Sequence, residues 1–266
     1  MSTRLPSKQP SDILTSGLGL VIALPREAAG LFGRVSWSPC GDQLRCCTVH
    51  QGGRPIRVVC SGPGPQNACR ATRWLASRRA RVIGSIGVSG ALSRQVHTGD
   101  LVLADEIVRW TGEAYERVWP PHTAFFHSLQ TQLREARLHV HSGRILSVER
   151  PVLTVEEKMT HAKGSRALAA DMESAGVAQA AEEAGIPFFV LRAVSDPADM
   201  GIPGFVPDCL DSKGGIRAGY LCRQLIKNPF RLIVLFRVHK GFRSGLRQLE
   251  MAWKGPLQRV VIPVNP

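Results

Sequence analysis

The sequence predicts an α/β protein: a central mixed sheet with helices on both faces, an α/β/α sandwich, and a helical extension at the C-terminus. Three observations predict it. The unbroken apolar run 18–24 (LGLVIAL) has the pattern of a strand buried on both faces, and the mostly apolar run 187–194 (PFFVLRAV) reads as another strand. These runs alternate with helical stretches bounded by glycine and proline. Acidic residues follow several of the runs, at the strand ends where open α/β sheets bind ligands. A chain of 266 residues, 44% hydrophobic, suits one such domain with a small appendage.

Taken in order, residues 1–17 read as a flexible tail. Residues 18–24 form the first strand, ended by Pro25 and followed by Arg26 and Glu27. Residues 45–49 and 56–61 form the next two strands, joined by a turn at Gln51, Gly52 and Gly53. The glycines of 61–64 break the chain before a helix at 66–79. Residues 81–87 form a strand, and 87–90 (GVSG) read as a glycine-punctuated loop. A strand at 100–108, a helix at 122–138 and a strand at 144–148 follow. Thr154 with Glu157 three positions on is a capping box that opens a short helix at 154–162. A strand at 168–171 ends in acid. A helix at 172–184 is closed by Gly185. The strand at 187–194 leads into Ser195 and Asp196.

The net charge of +13 is concentrated. Residues 216–259 hold ten basic side chains against the single acid Glu250, so this extension, and not the core, sets the basic balance. The organisation expected is therefore a tail at 1–17, a core domain at 18–215 and a basic amphipathic extension at 216–266. Seven cysteines without a CxxC pair read as reduced, mostly buried thiols, and no zinc-ligand spacing is present. The N-terminus lacks the apolar core of a signal peptide, and no run approaches the roughly 20 apolar residues of a membrane span. A cytoplasmic protein is expected.

Three strand ends carry acids: Glu27, the pair Asp171 and Glu173, and Asp196. By position alone each can equally cap the next helix. Three together, beside two glycine-rich segments, favour a ligand site.

The segments ALPREA (23–28), SGPGPQNA (61–68), SIGVSGALSRQVHTGDLVLADEIV (85–108), DMESAGVA (171–178) and LRAVSDPAD (191–199) resemble, in order and spacing, the nucleoside phosphorylase and methylthioadenosine/adenosylhomocysteine nucleosidase superfamily. The likeness covers residues 18–200. The DPAD ending and the basic extension are most similar to the hopanoid-associated phosphorylases, which are assigned to removing adenine from adenosyl hopane.

The resemblance implies cleavage of an N-ribosyl bond. Asp196 would protonate the purine N7 as the base leaves, which requires a protonated carboxyl that burial favours. Ser195 would orient it or line the base site, together with Val152 and Leu153. Glu173 would hold the ribose hydroxyls, with Met172 against the sugar face. Glu27 falls where the hydrolytic branch activates water or contacts the 3′-hydroxyl. Gly62, Gly64, Ser89 and Gly90 could present an oxyanion site, with Arg26 as a cation. Val88 stands where many relatives carry a Ser or Thr, which leaves phosphate and water both open as nucleophile. No cofactor and no metal are implied, only inorganic phosphate as a potential co-substrate. A methylthioadenosine, adenosylhomocysteine or futalosine-type hydrolase is the nearest alternative, and a non-catalytic nucleoside-binding module is one of another class. Homo-oligomers are common among such relatives.

In the extension, basic residues alternate with Tyr220, Phe230, Phe236, Phe242 and Trp253, and Pro229 is expected to separate two helices. The bland expectation is packing of the first helix on the core. The sharper one is peripheral contact with an anionic membrane face, useful for a lipid-linked adenosyl substrate. Specific nucleic-acid binding is not expected.

Overall fold

The computed structural model describes residues 17–41, 43–51, 53–120, 123–209, 217, 219–220, 223 and 231–259. The expected tail, apart from Gly17, and most of the expected helix before Pro229 lie outside the described residues.

Ten strands form one mixed sheet: β1 (Leu18–Ile22), β2 (Ser38–Gly41), β3 (Leu44–Gln51), β4 (Arg54–Cys60), β5 (Val82–Ala91), β6 (Leu101–Trp110), β7 (Tyr115–Trp119), β8 (Val140–Ser147), β9 (Ala169–Asp171) and β10 (Phe188–Asp196). β1 lies between β4 and β5, parallel to both, so all five of its residues are buried. This placement explains its unbroken apolar sequence. Beyond β4 the sheet ends in the antiparallel strands β3 and β2. On the other side, pairings β5–β10, β10–β6, β6–β8, β8–β9 and β9–β5 close a ring of five strands. The carboxyl ends of β1, β9 and β10 gather at one end of this ring, where the site is built.

Helices cover both faces. α2 (Pro65–Ser77) and α5 (Ser174–Glu183) bury Ala68, Ala71, Leu75 and Val177 against one face. α1 (Pro25–Phe32), α3 (Thr123–Glu135) and α7 (Arg231–Lys254) cover the other with Leu31, Phe126, Leu129 and Leu249. α4 (Val155–Ser165) and the single turn α6 (Phe205–Asp208) lie outside these layers. The two layers and the sheet between them are the α/β/α sandwich expected of the sequence. α5 is built of small residues, and Gly176 lets it approach α2: a Cβ there would lie 2.0 Å from the Pro65 carbonyl oxygen.

Two local expectations are corrected. Residues 87–90 are not a loop. They continue β5, because β10 pairs along Ile83–Gly90 and β9 takes Gly90 and Ala91. The glycines are required by what lies beneath: a Cβ on Gly87 would sit 2.8 Å from Glu27 Oε1, and one on Gly90 3.0 Å from Asp196 Oδ2. The first strand, expected at 18–24, ends at Ile22, and Pro25 instead opens α1 at its first turn, where a missing N–H costs nothing. The capping box is as expected, with Thr154 Oγ1 accepting from the Glu157 amide at 3.1 Å.

α7 is a single 24-residue helix. Its C-terminal half packs on the core: Leu249, Ala252 and Trp253 are buried, and Trp253 meets Phe32 edge-on with ring centroids 4.8 Å apart. Gly241 and Gly245 let the helix lie directly on β10. A Cβ on Gly241 would fall 2.0 Å from the Ser195 carbonyl oxygen. The N-terminal half is largely exposed, with Ile233 and Phe236 at 53% and 66%. Among the described residues, no helix is long and apolar enough to cross a membrane.

Candidate active site

Glu27 reaches the site because α1 starts directly at the end of β1. As the third residue of the helix its carboxylate turns back. Oε2 accepts from the Leu24 amide at 2.9 Å and Oε1 from the Val88 amide at 2.9 Å. It is buried, and burial pushes its pKa above the usual carboxylate range against these hydrogen bonds.

β9 ends in Asp171, and Glu173 caps α5 two residues on. Both are buried around Arg192, the one basic residue of β10. Arg192 Nε donates to Asp171 Oδ2 at 2.6 Å, and Nη2 donates to Ser85 Oγ at 2.8 Å and stands 3.9 Å from Glu173 Oε2. Ser174 Oγ also donates to Asp171 Oδ2. Glu173 Oε1 accepts from the Gly64 amide at 3.1 Å, and Gly64 holds φ +103° to present it. Burial and the neighbouring Asp171 carry the Glu173 carboxyl up to about 7, opposed by Arg192.

At the other end, β10 delivers Ser195 and Asp196. Asp196 Oδ1 lies 2.6 Å from Ser195 Oγ, which also lies 3.1 Å from the Ser89 carbonyl oxygen; the single hydroxyl proton serves one acceptor at a time. Asp196 Oδ2 accepts from Lys158 Nζ at 2.5 Å. Lys158, on α4, is 1% exposed, and its ammonium also donates to the Pro197 carbonyl at 2.8 Å and the Met200 carbonyl at 3.0 Å.

A cavity of about 220 Å³ joins the two ends. Of the expected residues, Glu27, Ser89, Gly90, Val152, Met172, Glu173, Ser195 and Asp196 line it. Ser89 Oγ is buried there without a hydrogen-bond partner among the described residues. The remaining expected residues do not line it. Leu153 faces an adjoining cavity of about 360 Å³, which shares Val148, Pro151 and Val152 with the first. Gly62 faces a third, beside Arg45 and Asn67. The Gly64 amide is spent on Glu173, and the Val88 amide on Glu27. Arg26 is exposed on α1 and lines none of these three cavities, because Glu27, one residue on, takes the inward side of the helix.

Lys158 and Arg192 were not singled out by sequence reasoning. Each carried a signal: a basic residue on the inward i, i+3, i+7 face of a helix with Val155 and Ala162, and a lone charge in an apolar strand. Among the described residues no group of three or more His, Cys, Asp and Glu is placed to hold a metal ion.

The chain resembles known proteins in sequence and in shape. A 5′-methylthioadenosine/S-adenosylhomocysteine nucleosidase of Staphylococcus aureus is 28% identical over 160 residues, covering 55% of this chain and 70% of that protein. The crystal structure of 5′-methylthioadenosine/S-adenosylhomocysteine nucleosidase from Neisseria meningitidis with methylthio-immucillin-A superposes with a TM-score of 0.69 at 18% identity, covering 91% of this chain and 98% of that one. The futalosine hydrolase of Helicobacter pylori gives 0.66 at 18% identity, covering 88% and 96%. These structures share the nucleoside phosphorylase/nucleosidase fold with this chain. The sequence pattern of the phosphorylase superfamily matches residues 17–209, which span β1 to the residues after α6 and include every side chain of the cavity, and the chain belongs to that superfamily.

Proposed function

We propose that the protein cleaves the N-ribosyl bond of an adenosyl compound, releasing adenine, with water as the nucleophile. One observation carries this reading: a single cavity has Glu27 and Glu173 at one end and Asp196 at the other. Bond cleavage leaves positive charge on the sugar and negative charge on the base. Glu173 accepts the ribose hydroxyls and, with Glu27, faces the cationic sugar, while Asp196 delivers a proton to the departing purine. Met172 packs on the sugar, and Ser195 and Val152 border the base.

Water is favoured over phosphate by charge. The cavity lining holds Glu27, Asp171, Glu173 and Asp196 against Lys158, whose ammonium is already engaged by one carboxylate and two carbonyls. A phosphate dianion would meet carboxylates there, whereas a water can donate to Glu27 and to the unpartnered Ser89 hydroxyl.

The finer reading is a lipid-linked adenosyl substrate such as adenosyl hopane, met at an anionic membrane face. It is supported by the sequence likeness at DPAD and by the exposed half of α7, where Ile233 and Phe236 stand among Arg237 and Lys240.

The test is adenine release from methylthioadenosine, adenosylhomocysteine, futalosine-type and long-chain 5′-substituted adenosines, with and without phosphate. Release independent of phosphate is expected. Strict phosphate dependence would replace water by phosphate, and no release from any substrate would leave a binding module. For the membrane contact, Ile233→Glu with Phe236→Glu should weaken retention on vesicles containing anionic lipid. Equal retention removes the contact.

A further inference from the structure

We propose that Lys158 is the positioning residue of the leaving-group acid: it clamps Oδ2 of Asp196 and resupplies the proton that Asp196 gives to the departing base. The inference rests on the reading of Asp196 as that acid and adds a component that the reading lacks.

The geometry is specific. An ammonium has three N–H donors, and Lys158 has three acceptors, Asp196 Oδ2, the Pro197 carbonyl and the Met200 carbonyl, at 2.5, 2.8 and 3.0 Å. Both charged side chains are almost fully buried, at 1% and 6% of side-chain exposure. A buried pair is often no more stable than apolar residues in its place, so a lysine here is better explained by what it does to its partner. The clamp also fixes the pocket wall. The Ile202 amide donates to the Leu153 carbonyl at 2.7 Å, so residues 153–158 and 197–202 are tied together at both ends. With Oδ2 held by Lys158 and Oδ1 beside Ser195, the carboxyl has one orientation relative to the cavity.

The proton inventory balances. As the N-ribosyl bond breaks, its electron pair goes to the purine. The Lys158 ammonium passes one proton to Asp196 Oδ2, and Asp196 passes one on to N7, so the pair ends as a carboxylate beside an amine. Lys158 is left as a neutral amine whose two remaining N–H groups stay on the Pro197 and Met200 carbonyls. The attacking water loses one proton to solvent on forming the sugar hydroxyl, and one proton from solvent restores the ammonium between turnovers. The pair thus enters each turnover with one transferable proton. A buried carboxyl without a cation favours its protonated form but depends on solvent for that proton, which it gives up as the pH rises.

The experiment is the pH profile of kcat and KM for adenine release by wild type, Lys158→Met and Lys158→Gln. Above neutrality the variants should lose about 10²-fold in kcat, the range of a general-acid contribution, with KM within about threefold. The loss should shrink as the pH is lowered, because a carboxyl without its cation takes its proton from solvent. The other charges around the cavity are Glu27 on α1, Asp171 on β9, Glu173 on α5 and Arg192 on β10, with Glu157 and His161 on α4 itself; all are common to the proteins compared and cancel in the ratio. Ethylamine should restore part of the activity of Lys158→Ala. A kcat unchanged, or reduced by one factor at every pH, would make Lys158 a structural tie and overturn the proposal. So would failure of all three variants to fold. Asp196→Asn run in parallel separates the layers: if it is active, the acid reading falls; if it is inactive beside a fully active Lys158→Met, only the role of the lysine falls.

Discussion

The two ends of the cavity solve opposite electrostatic problems. At the Glu173 end, three buried carboxylates, Glu27, Asp171 and Glu173, share one guanidinium, Arg192. At the Asp196 end, one carboxylate meets one ammonium. The first end has more acids than cations, and burial shifts Glu27 and Glu173 toward their protonated forms. The second end is balanced, and each ammonium proton of Lys158 has an acceptor. A surplus of acid suits groups that exchange hydrogen bonds with sugar hydroxyls and water. A matched pair suits a group that must hold one orientation.

Four changes test this contrast, in falling order of expected effect. Asp196→Asn breaks the matched pair and removes its proton, so adenine release should slow by about 10²–10⁴-fold in kcat with the melting curve still cooperative; an unchanged rate would remove the contrast at that end. Arg192→Leu strips from the acid-rich end the cation that Asp171 and Glu173 share among the described residues. Leaving Asp171 buried and unpaired should destabilise the fold by about 3–5 kcal/mol in urea titrations. Gly87→Ala drives a methyl into Glu27 and should destabilise by about 1–3 kcal/mol, with a larger loss of activity than of stability. Glu173→Gln gives the smallest and most diagnostic signal. The Glu173 carboxyl ionises at about 7 in the folded protein, against 4.5 ordinarily. Between these values the folded state binds more protons than the unfolded one, so this group makes stability fall as pH rises from about 4.5 to about 7. The difference in melting temperature between wild type and Glu173→Gln should therefore slope across that window and flatten outside it. A constant difference would mean that the acid-rich end does not store protons there.

The sequence exposed the parts of the fold whose cause is local. β1 is legible because burial on both faces demands unbroken apolar residues, β10 because its residues up to Val194 are apolar apart from Arg192, and the Thr154 capping box is read directly. The stretch 87–90 was misread because its glycines look like turn chemistry, while their cause is two side chains, Glu27 and Asp196, from distant parts of the chain. β2 and β7 are short and lack an alternating pattern, and ring closure through β10 is non-local by nature. In the candidate site the acids at strand ends were visible, and eight of the expected residues share one cavity. Their cations were not. Lys158 meets Asp196 across 38 positions and Arg192 meets Asp171 across 21, so neither pairing leaves a local trace.

The contact of Gly241 with the Ser195 carbonyl oxygen changes how the C-terminal extension should be handled. The extension is not a detachable tag, because its helix is the floor on which the last active-site strand rests. A truncation designed to remove a lipid-binding element would also withdraw that floor. Activity lost in such a protein would say nothing about membranes. Point changes confined to the exposed first turns of the helix separate anchoring from catalysis, and a fusion partner should be joined beyond residue 259 or at the opposite terminus.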